Sequence, residues 1–353
     1  MPDSISGEIQ MYANKNNDMA VSPIVATLVL IVVAVIGAVA VGTIMGTFST
    51  DVSKQTNAQG AATASSTHIL VAGSTTVQPA SILLAQDYEK AHQGIQIDVQ
   101  GGGSGAGISA VGQGIADIGA SSSALTAANM ATYPDLQPYQ IGARAVVWIV
   151  NSQNQVATNV KQADLKTFVN GLAGSTLTTT PAAAPAIDTL VQRSDASGTE
   201  STAASYAGAT GSGDNAFDNV LITTKPMSGN PGVVAEIQGN AAGNEIGFAD
   251  LGYIYDASGA LKSTASNVRV LTLDGYTYTT GTGLRADALV AAKGKIAGTT
   301  QVVNGYPQKL TSQLLYITNG NPSSIVKDFI KFAQSPNGGL DVQAAGDFAN
   351  SEL

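Results

Sequence analysis

The stretch RSDASGTE, residues 193–200, places a guanidinium four residues before a Ser-Gly-Thr turn, and the ESTAASYAGA that continues from it reads as the opening of a helix. Ser and Thr at a helix start leave backbone N–H groups free and add hydroxyl donors, where the peptide dipole is also positive. Such a turn accommodates an anion. Two further stretches share this construction. GSTTVQPASILLAQDYEKA, from Gly73, runs from the short apolar strand HILVA through a Gly-Ser-Thr-Thr turn into an amphipathic helix, and GGGSGAGISAVGQG, from Gly101, repeats the plan after the strand IQIDVQ. A fold that brings the three turns together surrounds one small oxyanion with donors.

Composition narrows the classes. With 353 residues, 44% of them hydrophobic and only 12% charged, the chain can bury one or two large cores and is too apolar for a disordered protein. A formal net charge of -9 excludes nucleic acid as partner, because no basic stripe is present to displace phosphate counterions. A small anion is still compatible with that charge, since exposed charges are screened beyond about 8 Å while helix ends and an arginine act at contact. There is no cysteine, hence no disulfide, thiolate metal site, cysteine nucleophile or N-terminal lipid anchor of that type.

Residues 19–50 carry no charge, and IVATLVLIVVAVIGAVAVGTIMGTF (residues 24–48) is long enough to span a bilayer core, which takes about 20 apolar residues as a helix. A cleaved secretory signal has a shorter apolar region, about 7 to 15 residues, after a basic stretch. Here Asp3, Glu8, Lys15 and Asp18 precede it, so a retained helix is expected. Lys15 and Lys54 on its two sides leave orientation unset. The expected organisation is a polar leader (1–19), an anchor helix (20–48), a small-residue stalk (49–67), the first part of one lobe (68–150), a second lobe (151–306) and a return to the first (307–353).

The order HILVA, helix, IQIDVQ, helix, ADIGA is α/β patterning, whose ligands bind where strands end and helices begin. ARAVVWIVN reads as a strand crossing between lobes and YPQKLTSQLLYIT as a second crossing. DLKTFVNG reads as a short helix, and IGFADLGYIY, VRVLTL and YTYTT as strands. NPSSIVKDFIKFAQSPNGG reads as an N-capped amphipathic helix stopped by Pro336 and glycines.

These stretches carry a resemblance. GSTTVQP, VQGGGSGAGI, ADIGASSSAL, RSDASGTE, GNEIGFADLGY and YPQKLTSQLLYITNGNPSSIVKDFIKFAQSPNGG occur in this order between His68 and the C-terminus. That region resembles the PstS-like phosphate-binding proteins of ABC importers. The resemblance implies a two-lobe type II periplasmic-binding-protein fold with two crossover strands, closing over a buried oxyanion. It implies ligand contacts from Thr75, the Thr76 amide, Ser104, Arg193, Ser197, Gly198 and Thr199, with Asp195 holding the arginine. Many members have an aspartate after the Gly-Ala-Ser of the third stretch; this chain has Ser122. A hydroxyl there tolerates a fully ionised oxyanion, so selectivity among phosphate, sulfate, molybdate and tungstate stays open. The segment NNDMAVSPIVATLVLIVVAVIGAVAVG is similar to the N-terminus of archaeal type IV pilin-like proteins, which implies a globular part outside the cell.

The alternatives are weaker. GGGSGAG has dinucleotide spacing without an acidic ribose contact. His68 and His92 read as surface residues, no metal or cofactor is expected, and Ser197 reads as an anion donor because no histidine completes a triad. Trp148 reads as core near the hinge; Tyr253, Tyr255, Tyr276 and Tyr278 read as alternating strand residues. The expected function is a non-enzymatic, membrane-tethered phosphate receptor serving ABC importer permease subunits. The alternative is a pilin-like filament subunit, self-assembled through its N-terminal helix and displaying the same domain; a phosphatase stands third.

Overall fold

The computed structural model describes residues 67–154, 160–179, 182–274, 276, 281–299 and 305–353. The leader, the expected anchor at 20–48 and the stalk up to residue 66 lie outside the described residues, as does most of YTYTT, Tyr278 included. Among the described residues no helix is long and apolar enough to cross a membrane.

The chain alternates as its pattern requires. In order come β1 (Thr67–Gly73), α1 (Gln78–Ala91), β2 (Ile95–Gln100), α2 (Ser104–Gly112), β3 (Ile118–Ser121), α3 (Ala127–Thr132) and β4 (Leu136–Asn151). Next are α4 (Gln162–Val169), β5 (Thr189–Arg193), α5 (Gly198–Ala207), β6 (Thr223–Met227), α6 (Gly229–Gly239), β7 (Glu245–Asp250) and β8 (Val268–Val270). The last part holds α7 (Thr282–Ile296), β9 (Thr311–Asn319), α8 (Ser324–Gln334), α9 (Pro336–Ala345) and β10 (Phe348–Ala349). The sheet order is β2-β1-β3-β9-β4-β7-β5-β6, with β8 and β10 pairing to β4. It is mixed: β1 runs parallel to β2 and β3, and β5 parallel to β6 and β7, while β9 and β4 are antiparallel to their neighbours. The chain therefore has an α/β fold.

β4 joins the halves of this sheet. It pairs with β9 from Leu136 to Ala145, with a register shift between Gln140 and Gly142, and with β7 from Val146 to Val150. Residues 141–151 are buried without a break, as expected of a strand covered on both faces. Trp148 is fully buried there, edge-on to Phe248 at 5.7 Å, which is the core position expected for it. One apolar cluster gathers the second half of β4 with β5, β7 and α7; another gathers β1, β9, α1 and α8.

Helix ends correct two expectations. The helix of residues 324–334 does end ahead of Pro336, but Pro336 and the glycines belong to a new helix that Ser335 caps, its Oγ accepting from Gly338 N at 3.2 Å. Proline is harmless at the first position of a helix because the N–H it lacks has no partner there. The run IGFADLGYIY is a strand only to Asp250; residues 251–253 form a 3₁₀ turn, so Tyr253 and Tyr255 do not alternate along a strand. Asp250 makes the break by accepting from Gly252 N at 2.9 Å. VRVLTL likewise is a strand only over its first three residues. His68 and His92 are exposed, as expected.

Candidate functional site

The two parallel sets, β1–β3 and β5–β7, run in opposite senses on either side of β9 and β4, and the strands of each end in polar turns. β1 delivers Ser74, Thr75 and Thr76; β2 delivers the glycine turn and Ser104; β3 delivers Ser122; β5 delivers Arg193, Asp195 and the Ser197–Thr199 helix start. Gly103, at φ +93°, lies so close to the third turn that a Cβ on it would overlap the Ala196 carbonyl. Gly198 is equally pressed: a Cβ there would stand 2.9 Å from Ser122 Oγ. These approaches require glycine, and they bring the three turns into one place.

Ser122 is the hub of the first half. Its Oγ accepts from Ser74 Oγ at 3.0 Å and lies 3.2 Å from Ser104 Oγ, while its N–H donates to Ser104 Oγ at 3.1 Å. Across the site, Thr76 Oγ1 and Thr199 Oγ1 are hydrogen-bonded at 2.8 Å, and Asn230 Nδ2 donates to Thr76 Oγ1 at 2.7 Å. Arg193, only 1% exposed, donates from Nη2 to Thr75 Oγ1 at 2.8 Å and is gripped by Asp195, to which Nε donates at 2.9 Å and Nη2 also donates. Asp195 Oδ1 is further held by Gly229 N at 3.0 Å. Arg193 Nη1 is buried without a hydrogen-bond partner among the described residues. Burying such a donor is costly, and an oxyanion is the partner a guanidinium fork fits best.

All the sequence-predicted residues thus converge: Thr75, Thr76, Ser104, Ser122, Arg193, Ser197, Gly198 and Thr199, with Asp195 as the arginine's brace. Ser197 serves as helix cap, its Oγ accepting from Glu200 N at 3.2 Å, so its side chain is occupied by the helix. Glu200 is fully buried; its two oxygens accept from Arg193 N at 3.0 Å and Phe217 N at 2.9 Å, and burial still pushes its pKa up to about 7.

Sequence reasoning missed a second cation. It treats Arg193 as the only guanidinium, but Arg144 on β4 is fully buried and donates from Nε (3.1 Å) and Nη2 (2.7 Å) to the carbonyl of Ser122. The signal was available: Arg144 is the one charge in IGARAVVWIV, and arginine is almost never fully buried unless paired. Behind it, Asp250 Oδ2 lies 3.7 Å from Arg144 Nη1, and Asp347 faces Asp250. Burial, then the neighbouring Asp250, raises Asp347 well above the usual carboxylate range, and burial raises Asp250 as well, against the pull of Arg144. Tyr253 is also more than packing, since its hydroxyl donates to Thr75 O at 2.5 Å. Asn230 carried no signal in the sequence. Among the described residues no group of three or more His, Asp or Glu is placed to hold a metal ion.

The turns that follow the two parallel sets thus meet in a ring of hydroxyls around a braced arginine. A family model described as "PBP superfamily domain" matches residues 56–337, and the chain belongs to the PBP (periplasmic-binding-protein) superfamily. Solved structures agree on the fold. One is a putative phosphate ABC transporter substrate-binding protein with bound phosphate from Clostridium perfringens, at 19% identity and TM-score 0.61, covering 80% of this chain and 99% of that one. Another is an ABC-type phosphate transport receptor from Vibrio cholerae, at 20% identity and TM-score 0.55, covering 79% and 99%. A third is the ancestral soluble variant of the Human Phosphate Binding Protein, at 17% identity and TM-score 0.59, covering 80% and 90%. None of the curated proteins compared matches the chain.

Proposed function

We propose that this protein is an extracytoplasmic, membrane-anchored receptor that captures inorganic phosphate and hands it to the permease subunits of an ABC importer. The observation that carries the reading is the buried Arg193, braced by Asp195 with Nη1 left over, inside a ring of hydroxyls from Thr75, Thr76, Ser104, Ser122 and Thr199. Dipoles and one braced cation, supplied by separate turns, hold a tetrahedral oxyanion without a counter-ion from solvent. The structures with similar folds are named as phosphate-binding proteins and receptors, which favours phosphate over other oxyanions. Closure of two lobes about the crossing strands would couple capture to delivery. The apolar run at 20–48 would hold the domain at the membrane. The same run, with Gly37, Gly42 and Gly46, could instead pack copies of the chain into a fibre.

Titration calorimetry of the purified protein with phosphate and with sulfate tests the ligand. Heat from phosphate, absent in Arg193→Ala, supports the reading; no heat from phosphate overturns it. Fractionation of cells with electron microscopy of shed material tests the location: chain in the membrane fraction supports a tether, and regular fibres containing it support a filament.

A further inference from the structure

The turn after β1 is held by the opposite half of the sheet, and the hydroxyl of Tyr253, one of the groups that hold it, has no place in the reading so far. Where the chain enters α1, the carbonyls of Ser74 and Val77 accept from the N–H four residues on, Gln78 N at 3.0 Å and Ser81 N at 2.9 Å. The carbonyl of Thr75 cannot do the same, because the residue four on is Pro79, which has no N–H. The Tyr253 hydroxyl takes that place, donating to Thr75 O at 2.5 Å across 178 residues of sequence. The other end of the same peptide unit, the Thr76 N–H, stays within its own half and donates to Ser74 Oγ at 3.2 Å.

Tyr253 itself is rooted in the second half. Its ring packs against the apolar cluster of β5, β7 and α7, and it closes the 3₁₀ turn that Asp250 fixes by accepting from Gly252 N. Asp250 N donates to Asn230 Oδ1 at 3.1 Å, and Asn230 Nδ2 reaches Thr76 Oγ1 at 2.7 Å. The end of β7 and the start of α6 thus grip two consecutive residues, Thr75 by its backbone and Thr76 by its side chain. Burial, then the neighbouring Asp250, raises the Tyr253 phenol above its ordinary range, so the hydroxyl keeps its proton and remains a donor. Its bond runs to main chain and needs no anion to form. What it needs is the two halves of the sheet in contact.

We propose that Tyr253 is a positioning residue that latches the β1 turn to the opposite half of the sheet and thereby sets how slowly a bound oxyanion is released. This rests on the receptor reading above, in which the halves close on the anion, and adds the group that holds them closed. An anion meeting open halves makes its first contacts before the Tyr253 bond exists, whereas an anion leaving must wait for that bond to break. The latch therefore acts on dissociation and hardly on association. Its strength is that of one hydrogen bond together with the cost of leaving the carbonyl of half-buried Thr75 without a donor. Pro79 gives the latch its acceptor, since any other residue there would satisfy that carbonyl from within α1.

The test follows uptake and release of labelled phosphate, and separately of labelled sulfate, by rapid filtration of the full-length protein. Tyr253→Phe keeps the ring and its packing and removes only the hydroxyl. Its dissociation rate should rise about five- to tenfold while its association rate stays within about twofold of the wild type. Tyr253→Phe combined with Pro79→Ala separates a latch from mere satisfaction of a polar group, because Pro79→Ala supplies Thr75 O with an N–H from its own helix. A purely structural role predicts that the double variant releases the anion as slowly as Pro79→Ala alone. The latch predicts release still at least about threefold faster than in Pro79→Ala alone. An unchanged dissociation rate in Tyr253→Phe, a loss carried mainly by association, or equal release from the double variant and Pro79→Ala each overturns the latch and leaves the receptor reading standing. These rate changes seen with sulfate, with no phosphate bound, would overturn phosphate as the ligand and support the latch. No binding of either anion by the wild type overturns both.

Discussion

The hydroxyls of Thr76 and Thr199 meet at 2.8 Å, although 123 residues separate them. One belongs to the turn after β1 and the other to the first turn of α5, so a single hydrogen bond ties the first polar turn to the last. Thr76→Val removes it and strips Asn230 Nδ2 of its acceptor. The expected cost is about 1–2 kcal/mol, roughly a tenfold rise in Kd for phosphate by calorimetry. An unchanged Kd would mean that the contact is not kept in the bound state.

Arg193→Ala should weaken phosphate by about 3 kcal/mol, roughly a hundredfold, because a charge-assisted donor pair is removed from a buried site. Asp195→Asn should cost less, since an amide still accepts from Gly229 N and leaves the guanidinium in place, now without its counter-charge. An Arg193→Ala variant that binds within threefold of the wild type would remove the arginine from the site.

Gly103→Ala tests the convergence of the turns. At φ +93° and against the Ala196 carbonyl, a methyl group forces the glycine turn away from the 193–200 turn. Phosphate affinity should fall at least about tenfold while the circular dichroism spectrum is retained, given that strained positions cost on the order of 1–3 kcal/mol. Wild-type affinity in this variant would show that the turns need not touch.

Glu200 links binding-site order to pH. Its carboxyl titrates near 7 in the folded chain against 4.5 for the ordinary group, because burial penalises the anion. Between those values the folded state holds the proton and the unfolded state does not, so stability is greatest below about pH 4.5 and is lost as pH rises through about 7. The amount is about 3 kcal/mol at 1.36 kcal/mol per pH unit. Asp347 and Asp250 are shifted in the same direction and steepen the decline. Urea unfolding from pH 4.5 to 7.5 reads the slope, and Glu200→Gln should make it shallower. An equal slope in that variant would assign the decline to the aspartates.

Much of this was visible in the sequence, for identifiable reasons. The three strand–turn–helix stretches carry their own start signals, so the residues that meet at their turns could be named before any fold was drawn. The amphipathic spacing of Val326, Phe329, Ile330 and Ala333 likewise gave α8. Other elements were hidden. TTKPM became β6 at the sheet edge, where proline is tolerated, and GNPGVVAEIQG became α6 although it opens with residues that usually break helices. Arg144 was overlooked because a strand rich in valine and isoleucine reads as packing, and a buried charge declares its purpose only through partners distant in sequence. Asn230 and Asp347 depend on such partners too.

The changeover of β4 from β9 to β7 falls between Ala145 and Val146, one residue past Arg144. The side chain that grips the Ser122 carbonyl is therefore mounted where the one strand shared by both halves of the sheet changes partners. Under the proposed function, a twist of that ribbon would reach the oxyanion site through this one side chain, and a ligand seated there would in turn bear on the ribbon.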